Sequence, residues 1–225
     1  MPPSTAQIPE IQEVRLGALR GFLAPVADRS ALLPAGETER VRRLPASRRL
    51  THTSGRWLAH HALASIGLSC PTIGVGPQGE PDWPAGVVGS IAHTGALAIA
   101  TVAPTATHIG IGVDIEQKNR AEPDTHPLLF TERERQTHRD RDLTLLFSAK
   151  EAFYKLYRPL AGRFLDFLDV EIDHVDDRTG TLRLRPIGTY PLMDILSQAQ
   201  AHFLHFDGHW IVAIALPATA GWARR

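Results

Sequence analysis

The stretch Gly110-Ile111-Gly112-Val113-Asp114-Ile115-Glu116 carries two carboxylates at a spacing of two. In an extended strand alternate residues share a face, so Asp114 and Glu116 project together while Val113 and Ile115 point the other way. Like charges that close repel unless a cation joins them. Mg²⁺ suits such a pair, because it takes one or two protein carboxylates and completes its shell with waters and substrate phosphates. A half-solvated strand whose carboxylates face water uses the same residues and, taken alone, is the simpler reading.

Further along, Phe147-Ser148-Ala149-Lys150-Glu151-Ala152-Phe153-Tyr154-Lys155 sets Glu151 and Lys155 four apart, so one helix face offers an acid and a base together. That is a phosphate site in miniature. Two ordinary arrangements compete: a surface ion pair, or a capping box in which Ser148 and Glu151 open a helix. Against the cap, the helical pattern already runs through Leu143, Leu146 and Phe147. Upstream, Gly89-Ser90-Ile91-Ala92-His93-Thr94 puts His93 at a strand end beside a glycine turn, where a lone histidine is more often structural than functional.

The elements that must hold these residues follow from periodicity and turn chemistry. Residues 1 to 50, rich in Pro, Gly and Arg, read as a packed lead-in with one helical stretch from Glu37 to Arg43 that Pro45 ends. Leu58, Ala62, Leu63 and Ile66 predict a helix over Ser54 to Leu68, with Ser54 as N-cap and Gly67 near its end. Pro71 to Gly86 reads as a loop, and Val87 to Ala92 with Ala96 to Ala103 as a hairpin turning at Thr94-Gly95. A strand over 109 to 116 carries the carboxylates. Thr131-Glu132-Arg133-Glu134 is a capping box that starts a helix, and Leu143 to Leu160 is a longer helix ended by Pro159. Strands fit Leu168 to Ile172, Thr181 to Pro186 and Trp210 to Leu216, with a helix near Met193 to Ala201. The class is α+β, and each half contains a helix and ends in an apolar strand, which hints at a duplicated lobe.

Composition narrows the function. Lys plus Arg, 24, equals Asp plus Glu, 24, in 225 residues, so no global field draws the chain to nucleic acid or to an anionic membrane. Any bound anion must be met by local charge. A chain of this length buries roughly 70% of its extended surface without staples. The single cysteine, Cys70, excludes an intramolecular disulfide and a cysteine-rich zinc site, fits a reducing compartment and reads as a small buried apolar group. The start, Met1-Pro2-Pro3-Ser4-Thr5, lacks a basic flank and an apolar core, and no apolar run reaches membrane-spanning length, so the expected location is cytoplasmic. The eleven histidines are scattered without an H-E-x-x-H pattern, and neither a P-loop nor a G-x-S-x-G elbow is present.

Taken together and in this order, the three chemical stretches resemble the Sfp-type 4′-phosphopantetheinyl transferases, above all the branch typified by the enterobactin synthase phosphopantetheinyl transferase component. The resemblance spans roughly residues 45 to 175. It includes Gly55-Arg56, Gly79-Glu80-Pro81-Asp82-Trp83-Pro84 ahead of the Ser-x-x-His segment, Gly112-Val113-Asp114-Ile115-Glu116 and Lys150-Glu151-Ala152-x-x-Lys155.

The resemblance implies transfer of phosphopantetheine from coenzyme A to a serine of an apo acyl, peptidyl or aryl carrier protein, with release of adenosine 3′,5′-bisphosphate. It implies a pseudo-twofold pair of α+β lobes, residues 1–108 and 109–225, with the site in the cleft between them. Asp114, Glu116 and Glu151 would hold Mg²⁺, with Glu151 or a metal-bound water taking the serine proton. Lys155 would hold the pyrophosphate, Lys150 would add a supporting cation, and His93 would contact the nucleotide phosphates. Arg48 and Arg56 match positions where relatives carry cations for the 3′-phosphate, with Arg49 an equal candidate to Arg48. Two departures stand out. The loop from Gly74 to Pro81 has no cation where relatives commonly carry one, and Phe147 replaces a frequent tryptophan. Carrier proteins are usually acidic, which points to Arg133, Arg135, Arg139 and Arg141 as a docking face, although a solvated helix explains that run equally well. The expected state is a monomer, because an internal pseudo-dimer already builds the cleft. Two rivals remain: another metal-dependent phosphodiesterase, and a non-catalytic coenzyme A or carrier-binding homologue.

Overall fold

The computed structural model describes residues 11–77, 79–192 and 196–218. It opens with an antiparallel pair, β1 (Gln12–Leu16) and β2 (Leu19–Pro25), turning at Gly17 with φ 62°. The expectation of a mere lead-in over residues 1 to 50 fails here. β2 is covered on both faces, Phe22 and Ala24 on one and Leu19 and Leu23 on the other, so its sequence lacks the alternation that marks a half-solvated strand.

Helix α1 (Ala35–Val41) ends before Pro45, and α2 (Ala46–Ser65) begins right after it. The expected start at Ser54 is therefore eight residues late. Ser54 is no cap: it is buried in mid-helix, donating from Oγ to the Ala27 carbonyl and accepting from the Ala27 N–H, both at 2.9 Å. The loop over 71–86 contains a small ribbon, β3 (Gly74–Val75) and β4 (Pro81–Asp82). Beside it, Cys70 is half-buried and its Sγ lies 3.0 Å from the Thr72 carbonyl. The expected hairpin follows as β5 (Val87–His93) and β6 (Leu97–Pro104).

Then come β7 (His108–Gln117), α3 (His126–Leu129), α4 (Glu132–Thr137) and α5 (Thr144–Ala161). The Thr131 box caps α4 as its sequence predicts: Thr131 Oγ1 accepts from Glu134 N–H, and the Glu134 carboxylate accepts from Thr131 N–H. Pro159 does not end α5. It sits inside the last turn, and the helix stops at Gly162, whose φ of 64° suits glycine. The chain closes with β8 (Val170–Asp176), β9 (Thr181–Pro186), β10 (Gln200–Phe206) and β11 (His209–Pro217). Leu168 lies in a 3₁₀ turn ahead of β8. Of the helix expected over 193–201, Met193 to Ile195 lie outside the described residues, and Gln200 and Ala201 belong to β10.

The strands form two main antiparallel sheets, in the orders β1-β2-β6-β5 and β7-β11-β10-β9-β8. The first draws on residues 12–104 and the second on 108–217, and each carries one long helix. Helix α2 covers the first sheet, packing Leu58, Ala62 and Leu63 on Phe22, Ala98 and Ala100. The opposite face, with Leu23 and Ile99, meets Ile111, Val113, Ile115 and Ile211 of the second sheet. Helix α5 packs Ala152, Phe153 and Leu156 on Val212 and Ile214. The layers run helix, sheet, sheet, helix, a paired α+β architecture. Among the described residues no helix is long and apolar enough to cross a membrane.

Two glycines set the distance between α5 and β7. A Cβ on Gly112 would lie 1.8 Å from the Ala152 carbonyl oxygen, and one on Gly110 would lie 2.7 Å from Leu156 Cδ1. The first clash is with backbone; the second is with a movable methyl. Gly112→Ala is therefore expected to destabilise the protein by about 3 kcal/mol or more, and Gly110→Ala by about 1 kcal/mol, in urea unfolding.

Candidate functional site

The alternation read along β7 is realised by the sheet stack. Val113 and Ile115 enter the core between the sheets, while Gly112, Asp114 and Glu116 face α5. Asp114 is only 5% exposed. Its Oδ2 accepts from Ser148 Oγ at 2.9 Å, and its Oδ1 accepts from Lys155 Nζ at 2.6 Å. Ser148 and Lys155 lie seven residues apart, two turns along α5, and so reach one carboxylate from one helix face. The capping reading of Ser148 is thereby ruled out, and Lys155 pairs with Asp114 across elements instead of with Glu151 along the helix.

The other two carboxylates feel Asp114. Burial and then the Asp114 charge push Glu116 up to about 7, with Arg120 and Lys155 pulling the other way. Burial and then Asp114 also raise Glu151, opposed by Lys155. Each of these carboxylates is harder to ionise than usual, first because it is buried and then because the Asp114 charge lies near. His93 lies solvent-accessible at the end of β5; the surrounding protein and the Lys155 charge lower its basicity, Asp114 works against them, and Arg48 adds to them. Asp114, Lys155, His93 and Arg48 thus share one electrostatic neighbourhood. The histidine segment is tied down by Ser90, whose Oγ accepts from Val113 N–H at 3.0 Å and bridges β5 to β7.

Among the described residues, no three His, Cys, Asp or Glu side chains converge closely enough to form a ready-made metal cage. The donor set nonetheless fits a hard divalent cation. Asp114, Glu116 and Glu151 are oxygen donors whose mutual repulsion a cation would relieve, and Mg²⁺ needs only one or two of them beside water and phosphate.

Two expected cations are not at this site. Lys150 Nζ turns into the interior and donates to Glu134 Oε2 at 2.7 Å and to the carbonyls of Leu129 at 2.9 Å and Phe167 at 2.7 Å. Lys150 and Glu151 are 100° apart on the helix, so the two side chains leave it in different directions. Arg56, 3% exposed, donates to the Ile73 and Gly74 carbonyls at 2.9 Å and faces Glu37 at 4.0 Å. It ties α2 to the cation-free loop. Arg49 pairs with Asp28 at 3.1 Å, while Arg48 is exposed and its charge reaches His93. The arginine run that begins in α4 and continues past its end is also dispersed: Arg133 lies near Glu171, Arg139 on Asp140, and Arg141 makes a two-pronged pair with Asp177. Phe147 keeps an aromatic contact, its ring 5.6 Å from that of Phe167.

Beside Glu151 lies an apolar pocket walled by Phe153, Tyr154, Phe164, Leu165 and Phe167. The Ser148 and Ser90 hydrogen bonds do not emerge from the motifs, because each pairs residues distant in the chain, and the pocket does not because it depends on how the segment after α5 folds back along the helix. For Ser148 a signal existed: its place one helix turn before Glu151 and two before Lys155.

Comparison with known proteins agrees with this geometry. The profile "4'-phosphopantetheinyl transferase N-terminal domain" matches residues 36–103, and "4'-phosphopantetheinyl transferase superfamily" matches residues 110–215. The chain belongs to the 4′-phosphopantetheinyl transferases. The transferase is 31% identical over 214 residues to 4′-phosphopantetheinyl transferase Svp of Streptomyces mobaraensis, covering 87% of this chain and 83% of that relative. It is 31% identical over 189 residues to Npt of Nocardia iowensis, covering 77% and 81%. Enterobactin synthase component D of Salmonella typhi is 33% identical over 127 residues, 53% of this chain and 52% of that one. The two profiles meet between β6 and β7, where the first sheet gives way to the second.

The raised Glu116 carboxyl makes stability depend on pH. The folded state holds its proton more tightly than an unfolded chain near 4.5, so this group favours folding at low pH and its contribution is lost as pH rises through about 7. Glu116→Gln is expected to match the native protein at pH 5 and to exceed it by about 1–2 kcal/mol at pH 8 in metal-free thermal unfolding.

Proposed function

We propose that the transferase moves 4′-phosphopantetheine from coenzyme A to a serine of an apo acyl or peptidyl carrier protein, with Mg²⁺, and releases adenosine 3′,5′-bisphosphate. The observation that carries this reading is the gathering of Asp114, Glu116 and Glu151 with Lys155 and His93 where β7, α5 and the end of β5 meet. The carriers of fatty-acid, polyketide, nonribosomal-peptide and siderophore assembly are all chemically suitable acceptors.

Asp114, Glu116 and Glu151 would hold the Mg²⁺. Bound there, it would offset charge on the pyrophosphate and on the leaving phosphate. Glu151 accepts the proton of the carrier serine, a poor nucleophile until a base takes that proton. The serine oxygen then forms its bond to phosphorus as the bond to the departing nucleotide breaks. Lys155, part-exposed and mobile enough to exchange Asp114 for a phosphate oxygen, stabilises the leaving charge. Ser148 holds Asp114 in place during that exchange. Weakly basic His93 donates to a nucleotide phosphate, and Arg48 meets the 3′-phosphate at the outer end of the cluster. Residues 1–108 and 109–225 act as two lobes bracketing this cleft in a cytoplasmic monomer.

Incubation of an apo carrier protein with the transferase, coenzyme A and Mg²⁺ should add one phosphopantetheine to the carrier's intact mass. The addition should be absent with Glu151→Ala or without metal. No addition to fatty-acid, polyketide or peptide carriers, with coenzyme A still bound, would favour a non-catalytic binding role.

The two arginines should separate cleanly. Arg48→Ala is expected to raise KM for coenzyme A about tenfold, the worth of a charge-assisted hydrogen bond, with little change in Tm. Arg56→Ala should chiefly lower stability, by about 2–4 kcal/mol, since it leaves the buried Ile73 and Gly74 carbonyls without their donor and takes a cation away from Glu37.

A further inference from the structure

Lys150 follows a route unlike any other charge near the site. Its side chain is 2% exposed and that of Glu134 is 1% exposed, so the pair is fully enclosed. The ammonium has three protons, and each is held by a different part of the chain: the Leu129 carbonyl at the end of α3, the Glu134 carboxylate of α4, and the Phe167 carbonyl in the turn after α5. Glu134 extends the reach, accepting from Thr131 N–H at 2.9 Å and from Ile172 N–H of β8 at 2.8 Å. Two opposite charges therefore fasten α3, α4, α5, β8 and the 163–169 segment at one point.

That segment walls the pocket beside Glu151. Phe164, Leu165 and Phe167 stand opposite Glu151 and Tyr154. Phe164 is 73% exposed yet keeps its ring 5.1 Å from Tyr154. Little packing holds it there, and the anchored Phe167 carbonyl lies three residues away. On the other side, Glu151 is placed by α5, whose seat on β7 is fixed through Gly112. Lys150 thus connects this wall, exposed at Phe164 and packed inward at Leu165 and Phe167, to a helix seated closely on β7.

We propose that Lys150 and Glu134 are positioning residues, which hold the 163–169 segment against Glu151 and so set the geometry in which the acceptor hydroxyl meets its base. This rests on the reading of Glu151 given above. A buried ion pair adds little net stability over an apolar or neutral pair of similar size, whereas breaking it from one side leaves a stranded charge. Replacing both partners therefore separates position from stability.

The test compares the native protein with the double variant Lys150→Met/Glu134→Gln and with Lys150→Arg, reading Tm, transfer kinetics and the rate of tryptic cleavage after Arg163. The double variant should stay folded, with KM for coenzyme A within about twofold of native, kcat lowered about tenfold or more, and cleavage after Arg163 accelerated about tenfold. Lys150→Arg, which keeps the charge but not the three divergent donors, should recover part of both losses. Should the double variant not fold, the Lys150→Arg comparison alone decides, by the same two readouts. Native kcat together with unchanged cleavage in a folded variant would overturn the proposal and leave the pair as scaffold. A raised KM for coenzyme A at native kcat would overturn it too, making Lys150 a ligand contact. If the native protein modifies no carrier, the transferase reading fails by itself, and unchanged cleavage after Arg163 would still refute the anchoring.

Discussion

The contact between helix α5 and strand β7 organises everything near the site. A carbonyl oxygen of Ala152 comes within 1.8 Å of where a Cβ of Gly112 would be, so the helix lies on the strand at a distance that only glycine permits. At that distance Ser148 and Lys155, two turns apart, both reach Asp114, and Glu151 comes within range of its charge. A helix held a side chain's thickness further out would leave Asp114 without either partner. The glycines of Gly110-Ile111-Gly112 and the acids that follow them are one device: small residues bring the helix in, and the carboxylates then meet it.

Charge is distributed on the same principle of which face a residue occupies. Lys150 and Lys155 share a helix and a motif, yet one is enclosed among α3, α4 and β8 while the other reaches the carboxylates. Arg48 and Arg56 share α2, yet one is exposed and the other locks the 73–74 backbone in place. Of the buried cations, Lys150 gives its three protons to two carbonyls and a carboxylate, and Arg56 donates to two carbonyls with Glu37 nearby, as burial requires. The exposed cation of each pair is the one free to meet an anionic ligand. A protein with no net charge separates its cations in this way, enclosing some and leaving others exposed.

The double sheet stack supplies the frame for this selection. The two sheets meet through an apolar core, and the Ser90 to Val113 hydrogen bond fixes β5 beside β7, so that His93 and the carboxylates keep a constant separation across the junction. With α2 and α5 on the outer faces, ionic groups of the site lie at the edge of two cores instead of inside either one.

Local rules were enough for much of this. The alternation of Asp114 and Glu116, the β5–β6 hairpin, the Thr131 box and the long α5 all follow from periods of two or 3.6 and from caps, which involve residues a few positions apart. The family pattern was legible for the same reason, since its motifs are short. Other features rested on contacts between distant parts of the chain. β2 is covered by α2 on one face and by the second sheet on the other, so nothing in its own residues marks it as a strand. Ser54 resembles a cap and is instead bound to Ala27, and the direction of Lys150 depends on where Glu134 and Phe167 arrive. The chain alone thus determined which residue types stand at which local spacing; the tertiary structure decided which face of each element is buried, and hence which cations are structural and which remain available for chemistry.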